Sequence, residues 1–292
     1  QAVSEAKREI AGSPLLISAA DLAAATGPTT PVIVDCRFNL MQPDAGRAAY
    51  EAGHIPGAWY ADLDRDLSGH REAHTGRHPL PGAEQLRVLF GGFGIGPATR
   101  VVAYDEGGGG LAARLWWLMR WMGHRDAVLL DGGLAAWLQG GFPLNQGNPE
   151  PRPTIFHGEP GHMPVLHTAQ VVAALADDAI QLLDARAEER FRGRVEPIDP
   201  VAGHVPGASN MPFGGNLAAD NRFKTPEELV KRYAPLVEGR DLKEIVFMCG
   251  SGVTACHGIF ALELAGLPGA VLYPGSWSEW IRSPERPVAT DR

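Results

Sequence analysis

Cys249 is the residue best placed in this sequence to act as a nucleophile. It follows the apolar run Glu244 to Met248 and opens the stretch Cys249-Gly250-Ser251-Gly252-Val253-Thr254, after which a helical pattern begins. In an open α/β sheet, ligands sit at the carboxyl ends of the strands, so this strand should deliver its loop to a site. Two glycines allow backbone N–H groups to turn inward around one point, and the helix N-terminus adds partial positive charge. Such a nest favours a thiolate and holds an anion. A cysteine that merely ends a buried strand would need no glycine loop. A phosphate-gripping Cys-x5-Arg loop would need a cation at position 255, where the chain has Ala255.

The elements that must position this loop are legible as a repeat. Asp35-Cys36-Arg37 is answered by Asp184-Ala185-Arg186, and Gly53-His54-Ile55-Pro56-Gly57-Ala58 by Gly203-His204-Val205-Pro206-Gly207-Ala208. Val101 to Asp105 matches Ile245 to Cys249, and Gly132 to Trp137 matches Gly275 to Trp280. These matches keep their order and nearly their spacing, which makes two copies of one unit. Only the second copy has a cysteine at the end of this strand; the first has Asp105. The Gly107 to Gly110 run lacks the Lys-[Ser/Thr] of a nucleotide loop and reads as a degenerate counterpart of the cysteine loop.

Short apolar runs in each copy (Val32–Asp35, Val101–Tyr104 and Val128–Leu130; Gln181–Asp184, Ile245–Met248 and Val271–Tyr273) suit buried parallel strands. Between them, Leu111 to Met122, Ala169 to Leu175 and Ala255 to Leu264 carry helical spacing. The expected fold is α/β, with a parallel sheet flanked by helices on both faces in each copy. Asn145 to Pro164, with five prolines and three glycines, reads as a linker. Residues 10–144 then form the first domain, 145–164 the linker and 165–288 the second, catalytic domain.

The chain has 292 residues, 45% of them hydrophobic, enough for two ordinary cores. A net charge of −8 without a basic block argues against nucleic acid or an anionic membrane as partner. No apolar run reaches the roughly 20 residues of a membrane helix, and Gln1 to Ile10 is polar. Three cysteines, Cys36, Cys249 and Cys256, suit a reducing compartment rather than a disulfide framework, so a cytoplasmic location is expected. Cys256 should lie in the packing face of its helix. His70, His74 and His78 recur every fourth residue, but Gly76 and Pro79 interrupt any helix that could align them on a metal. Because His54 and His204 repeat in both copies, they should be structural.

The tandem copies, the two His-[Ile/Val]-Pro-Gly-Ala motifs and the loop Cys249 to Thr254 resemble the rhodanese superfamily of sulfurtransferases, from about Leu15 to Pro284. The loop is similar to that of the branch acting on 3-mercaptopyruvate. This resemblance implies two tandem rhodanese-like domains, the first without its cysteine. It further implies a double displacement in which Cys249 takes sulfur from a small-molecule donor as a persulfide and hands it to a thiol, a thioredoxin-like acceptor or cyanide, with no metal or organic cofactor. Ser251, His78 and Asp64 match a proposed proton relay, Arg190 a residue that binds the donor's carboxylate, and Gly250, Gly252, Val253 and Thr254 the loop that receives the substrate. The branch often has a second arginine where this chain has Asp199. Mercaptopyruvate then requires that Arg192 or Arg194 turn inward as the replacement cation. Thiosulfate is the alternative donor, although Gly250 and Ser251 are neutral, and a protein-fed persulfide carrier is the alternative to an enzyme.

Overall fold

The computed structural model describes residues 15–25 and 27–291. These form two compact units that are not contiguous in sequence. The first takes the chain through residue 69, then 81–162 and 218–223; the second takes 70–80, 163–217 and 224 onward. The start expected at residue 10 and the polar stretch Gln1 to Ile10 lie outside the described residues.

In the first unit, β1 (Leu16–Ile17), β2 (Val32–Asp35), β3 (Trp59–Tyr60), β4 (Val101–Tyr104) and β5 (Ala127–Leu130) form a sheet in the order β1-β5-β4-β2-β3. Every neighbouring pair is parallel. In the second unit, β6 (Gln181–Asp184), β7 (Ser209–Asn210), β8 (Ile245–Met248) and β9 (Val271–Leu272) are parallel in the order β7-β6-β8-β9. Val165 adds a parallel bridge to Leu272, the place that β1 holds in the first sheet. Asp35 pairs with Tyr104 and Asp184 with Met248, so the two copies share one register.

The central strands are the apolar ones. All four residues of β4 and of β8 are buried, as strands covered on both faces must be. Leu182, Val246, Met248, Tyr273 and Trp277 form the core of the second unit, and Ile33, Val102, Tyr104, Val128 and Leu130 that of the first. Each such side chain contributes about 1.5–3 kcal/mol by leaving water. The expected helices appear as Ala112–Trp121, Thr168–Ala176 and Ala255–Leu264. The two-residue strands β1, β3 and β7 have no expectation behind them, because two residues are too few to show a period.

The repeated motifs are fasteners. Arg37 forks onto Asp35 and reaches the Gly53 carbonyl at 2.7 Å; Arg186 forks onto Asp184 and reaches the Gly203 carbonyl at 2.8 Å. Each glycine thus anchored precedes a stacked histidine. His54 lies on the Tyr50 ring with Nδ1 2.8 Å from the Tyr50 carbonyl; His204 lies on Phe191 with Nδ1 2.7 Å from its carbonyl. Of the proline-rich stretch 145–164, residues 145–162 belong to the first unit, and the Pro164 carbonyl accepts from Leu272 N–H of the second at 3.1 Å. Asn145 bridges to His54, the Thr154 N–H donates to the Gly91 carbonyl at 2.9 Å, and Arg87 holds the Gly158 carbonyl at 2.9 Å.

Candidate active site

β8 ends at Met248 and presents Cys249 at the carboxyl edge of its sheet. The residues after β9 clamp this turn. The Cys249 N–H donates to Ser276 Oγ at 3.1 Å, Trp277 N–H to the Cys249 carbonyl at 3.0 Å, and Ser278 N–H to the Gly250 carbonyl at 2.9 Å. Ser276 is buried at φ +56, and its hydroxyl passes the load to the Tyr273 carbonyl at 2.9 Å. The Gly252 N–H then turns back to donate to Cys249 Sγ at 3.1 Å. This return requires φ +80 at Gly252, where a Cβ would also press on the Pro274 backbone. Val253 is buried, and Thr254 stands at the start of helix Ala255–Leu264. Cys256 lies buried in the first turn of that helix, with its thiol 3.5 Å from the Gly252 carbonyl.

The first unit shows what such a loop holds when no thiol is present. Asp105 follows β4 as Cys249 follows β8, and its carboxylate accepts from the N–H groups of Gly107 at 3.1 Å, Gly109 at 3.0 Å, Leu111 at 2.9 Å and Ala112 at 3.0 Å. The loop fold is an anion cradle built from backbone.

Ser251 is buried and its Oγ lies 2.7 Å from Nδ1 of His78, also buried. His78 comes from the first copy's stretch of sequence, yet segment 70–80 packs within the second unit. Its hold there is backbone: the Gly76 N–H donates to Glu279 Oε1 at 3.3 Å and the Arg77 N–H to Ser278 Oγ at 3.0 Å. Cys249, Ser251 and His78 therefore meet around one loop. Asp64 belongs to the first unit, where its N–H donates to the Asp62 carboxylate at 2.9 Å.

Beside this loop runs an alternating chain of charges. Asp184 pairs with Arg186 at 2.8 Å, Arg186 stands 3.6 Å from Glu196, Glu196 pairs with Arg190 at 3.0 Å, and Arg190 reaches Asp199 at 3.2 Å. Asp199 closes the chain on Arg77. The guanidinium groups of Arg77 and Arg190 both stand over Gly250; a methyl group there would lie 2.9 Å from Arg77 Nη2 and 3.5 Å from Arg190 Nη2. The expectation about Asp199 needs correction. Arg192 and Arg194 do not turn inward: they pair with glutamates of the short helix Glu188–Phe191 just before them, Glu188 at 2.7 Å and Glu189 at 2.9 Å, on partly exposed side chains. The cation that meets Asp199 is Arg77.

The rhodanese-like domain model matches residues 18–139 and again 167–283. This chain belongs to the rhodanese family. Among its relatives, a protein of Pseudomonas aeruginosa named "Probable 3-mercaptopyruvate sulfurtransferase" is 51% identical over 94% of this chain and 98% of its own length. The human 3-mercaptopyruvate sulfurtransferase is 40% identical over 82% of this chain and 81% of its own. Rat thiosulfate sulfurtransferase is 35% identical over 88% and 86%. Among solved structures, the 3-mercaptopyruvate sulfotransferase SseA of Escherichia coli covers 91% of this chain and 99% of its own, at a TM-score of 0.78 and 32% identity.

Three residues of this rhodanese site escape a reading of the sequence alone. Glu196 organises the charge chain, accepting at Oε1 from the N–H groups of Ile198 and Asp199 as well as from Arg190. Ser276 carries a signal, since the repeat places it opposite Gly133, and both have positive φ. Arg77 carries the weakest signal, its place next to His78. Among the described residues no helix is long and apolar enough to cross a membrane.

Proposed function

We propose that the protein moves sulfane sulfur from 3-mercaptopyruvate through a Cys249 persulfide to a thiol or cyanide. The Cys249 thiolate attacks the donor's sulfur, and the carbon–sulfur bond breaks with its electron pair moving to the methylene carbon. The proton of the donor thiol ends on that carbon, which gives pyruvate, and the persulfide anion stays in the loop. Attack of cyanide on the outer sulfur then gives thiocyanate and restores the thiolate; a thiol acceptor leaves as its own persulfide.

One observation carries this reading: the Ser251 hydroxyl and the His78 ring stand 2.7 Å apart on the loop whose Gly252 N–H points at Cys249 Sγ. The cradle stabilises the thiolate and then the persulfide. The Ser251–His78 pair moves the donor's proton, and Asp64 is the carboxylate that the family resemblance assigns to the same relay. Arg190 meets the donor's carboxylate from Nη1, because its Nε and Nη2 are engaged by Glu196. Gly250, Gly252, Val253 and Thr254 line the loop against the substrate. The names of the relatives support the same donor. A persulfide enzyme also suits the reducing cytoplasm, where Cys36, Cys249 and Cys256 stay as thiols.

The deciding experiment measures kcat/KM for 3-mercaptopyruvate and thiosulfate side by side, with cyanide and then a dithiol as acceptor. A preference for 3-mercaptopyruvate of tenfold or more is expected. Preference for thiosulfate would refute the donor while keeping the sulfur transfer, and no turnover with either would turn the reading to a protein-fed persulfide carrier.

A further inference from the structure

Arg77 is held at several points. Its N–H donates to Ser278 Oγ, its carbonyl accepts from Arg71 Nη2 at 3.0 Å, and its Nη1 is paired with Asp199. The rest of its guanidinium is uncommitted. Nε is buried and has no hydrogen-bond partner, and Nη2 is the nitrogen that leans over Gly250, the residue after the nucleophile. A buried N–H without an acceptor is costly, and an acceptor arriving with the donor would satisfy it. Nε and Nη2 together form one edge of the guanidinium fork, which matches the two oxygens of a carboxylate through parallel hydrogen bonds.

Arg190 does not offer that edge. Its Nε and Nη2 are both on Glu196, and Nη2 is shared with Asp199. Asp199, with its side chain almost wholly buried, binds Arg77 on one oxygen and Arg190 on the other. It therefore acts as the brace that lets two like charges stand together over Gly250. Along the chain Asp184, Arg186, Glu196, Arg190, Asp199, Arg77, charges alternate and cancel, so an added carboxylate leaves one net negative charge over six ionic partners rather than a buried isolated ion.

We infer that Arg77 is the principal carboxylate-binding residue for the donor, gripping it with the Nε–Nη2 edge while Asp199 braces the guanidinium from the opposite side. This rests on the 3-mercaptopyruvate reading and makes the acid group of the donor a determinant of specificity. The grip belongs to the segment that also carries His78, so one stretch of chain supplies both the cation and the imidazole.

The test compares wild type with Arg77→Met and Arg77→Lys. Lysine keeps a charge for Asp199 but lacks the two-pronged edge. The readouts are KM and kcat for 3-mercaptopyruvate, kcat/KM for the neutral donor 1-mercaptopropan-2-one, and the Kd of pyruvate by titration calorimetry. Arg77→Met should raise KM for 3-mercaptopyruvate and Kd for pyruvate at least tenfold, with kcat within threefold, and leave the neutral donor within threefold. Arg77→Lys should show the same selective pattern at smaller amplitude, which covers the case in which the methionine variant does not fold. Unchanged KM and Kd in the lysine variant, or equal losses with charged and neutral donors, would overturn the assignment. If wild type does not turn over 3-mercaptopyruvate, the functional reading fails by itself. The Kd of pyruvate then decides for Arg77: a selective loss supports the seat and an unchanged Kd overturns it.

Discussion

Ser251 Oγ and His78 Nδ1 stand 2.7 Å apart although 173 positions separate them in the chain. Both side chains are buried, so the pair is a polar contact shielded from water, where a hydrogen bond between protein groups counts for most. Replacing His78 with Asn should lower kcat with 3-mercaptopyruvate by roughly a hundredfold, the usual scale of a positioned acid–base group, and Ser251→Ala by roughly tenfold. The double variant should be no worse than His78→Asn. Steady-state kinetics of the three variants test this, and multiplicative losses would show that the two residues act separately.

Cys249→Ser should remove turnover while leaving the fold intact, because the hydroxyl still accepts from Gly252 and the Ser276 hydroxyl clamps only the backbone N–H of residue 249. Intact-mass spectrometry after a pulse of donor should find one added sulfur atom on wild type and none on the variant. A sulfur adduct that survives in Cys249→Ser would place the carrier on another cysteine.

Asp105 fills the cradle of the first unit with four N–H donors around one carboxylate. Asp105→Ala strands those donors, and a loss of about 2–4 kcal/mol in the unfolding of that unit is expected. Asp105→Asn, which keeps one acceptor oxygen, should lose about half as much. Denaturant titration followed by tryptophan fluorescence reports on it, since Trp116, Trp117 and Trp137 are buried in that unit. A neutral result would mean that water replaces the carboxylate without cost.

His124 sets a pH dependence for the same unit. Its ring is buried, with Nε2 2.7 Å from the Thr99 carbonyl, and burial pushes its pKa below the ordinary 6.5 despite that hydrogen bond. The folded state therefore takes up the proton less readily than the unfolded chain. Its stabilising contribution is full above pH 6.5 and is lost as pH falls through the lower, folded-state value. His124→Gln, which keeps a donor for Thr99 and cannot titrate, should flatten the fall of Tm between neutral and mildly acid pH. An unchanged slope would assign that fall to other groups.

Several features were legible because they are local. The strand–loop–helix around Cys249, the repeated Asp-x-Arg and Gly-His-x-Pro-Gly segments and the helix Ala255–Leu264 all show in a short window, where periodicity and glycine placement carry the signal. The charge at Asp199 was visible too, but its meaning was not. Arg192 and Arg194 are its neighbours in sequence, while the cation it meets, Arg77, lies 122 positions away.

The two copies, the parallel α/β order and the cysteine loop were readable from the chain alone, since each follows from backbone geometry and hydrophobic pattern over a few residues. Which copy segment 70–80 joins is settled only by long-range contacts. That choice is made by the Gly76 and Arg77 N–H groups finding Glu279 and Ser278, more than 200 positions away. Such pairings leave no periodic trace, because a hydrogen bond constrains atoms in space and not their spacing along the chain. With that segment came His78 beside Ser251 and Arg77 over Gly250, two contacts on the cysteine loop that no short window of sequence contains.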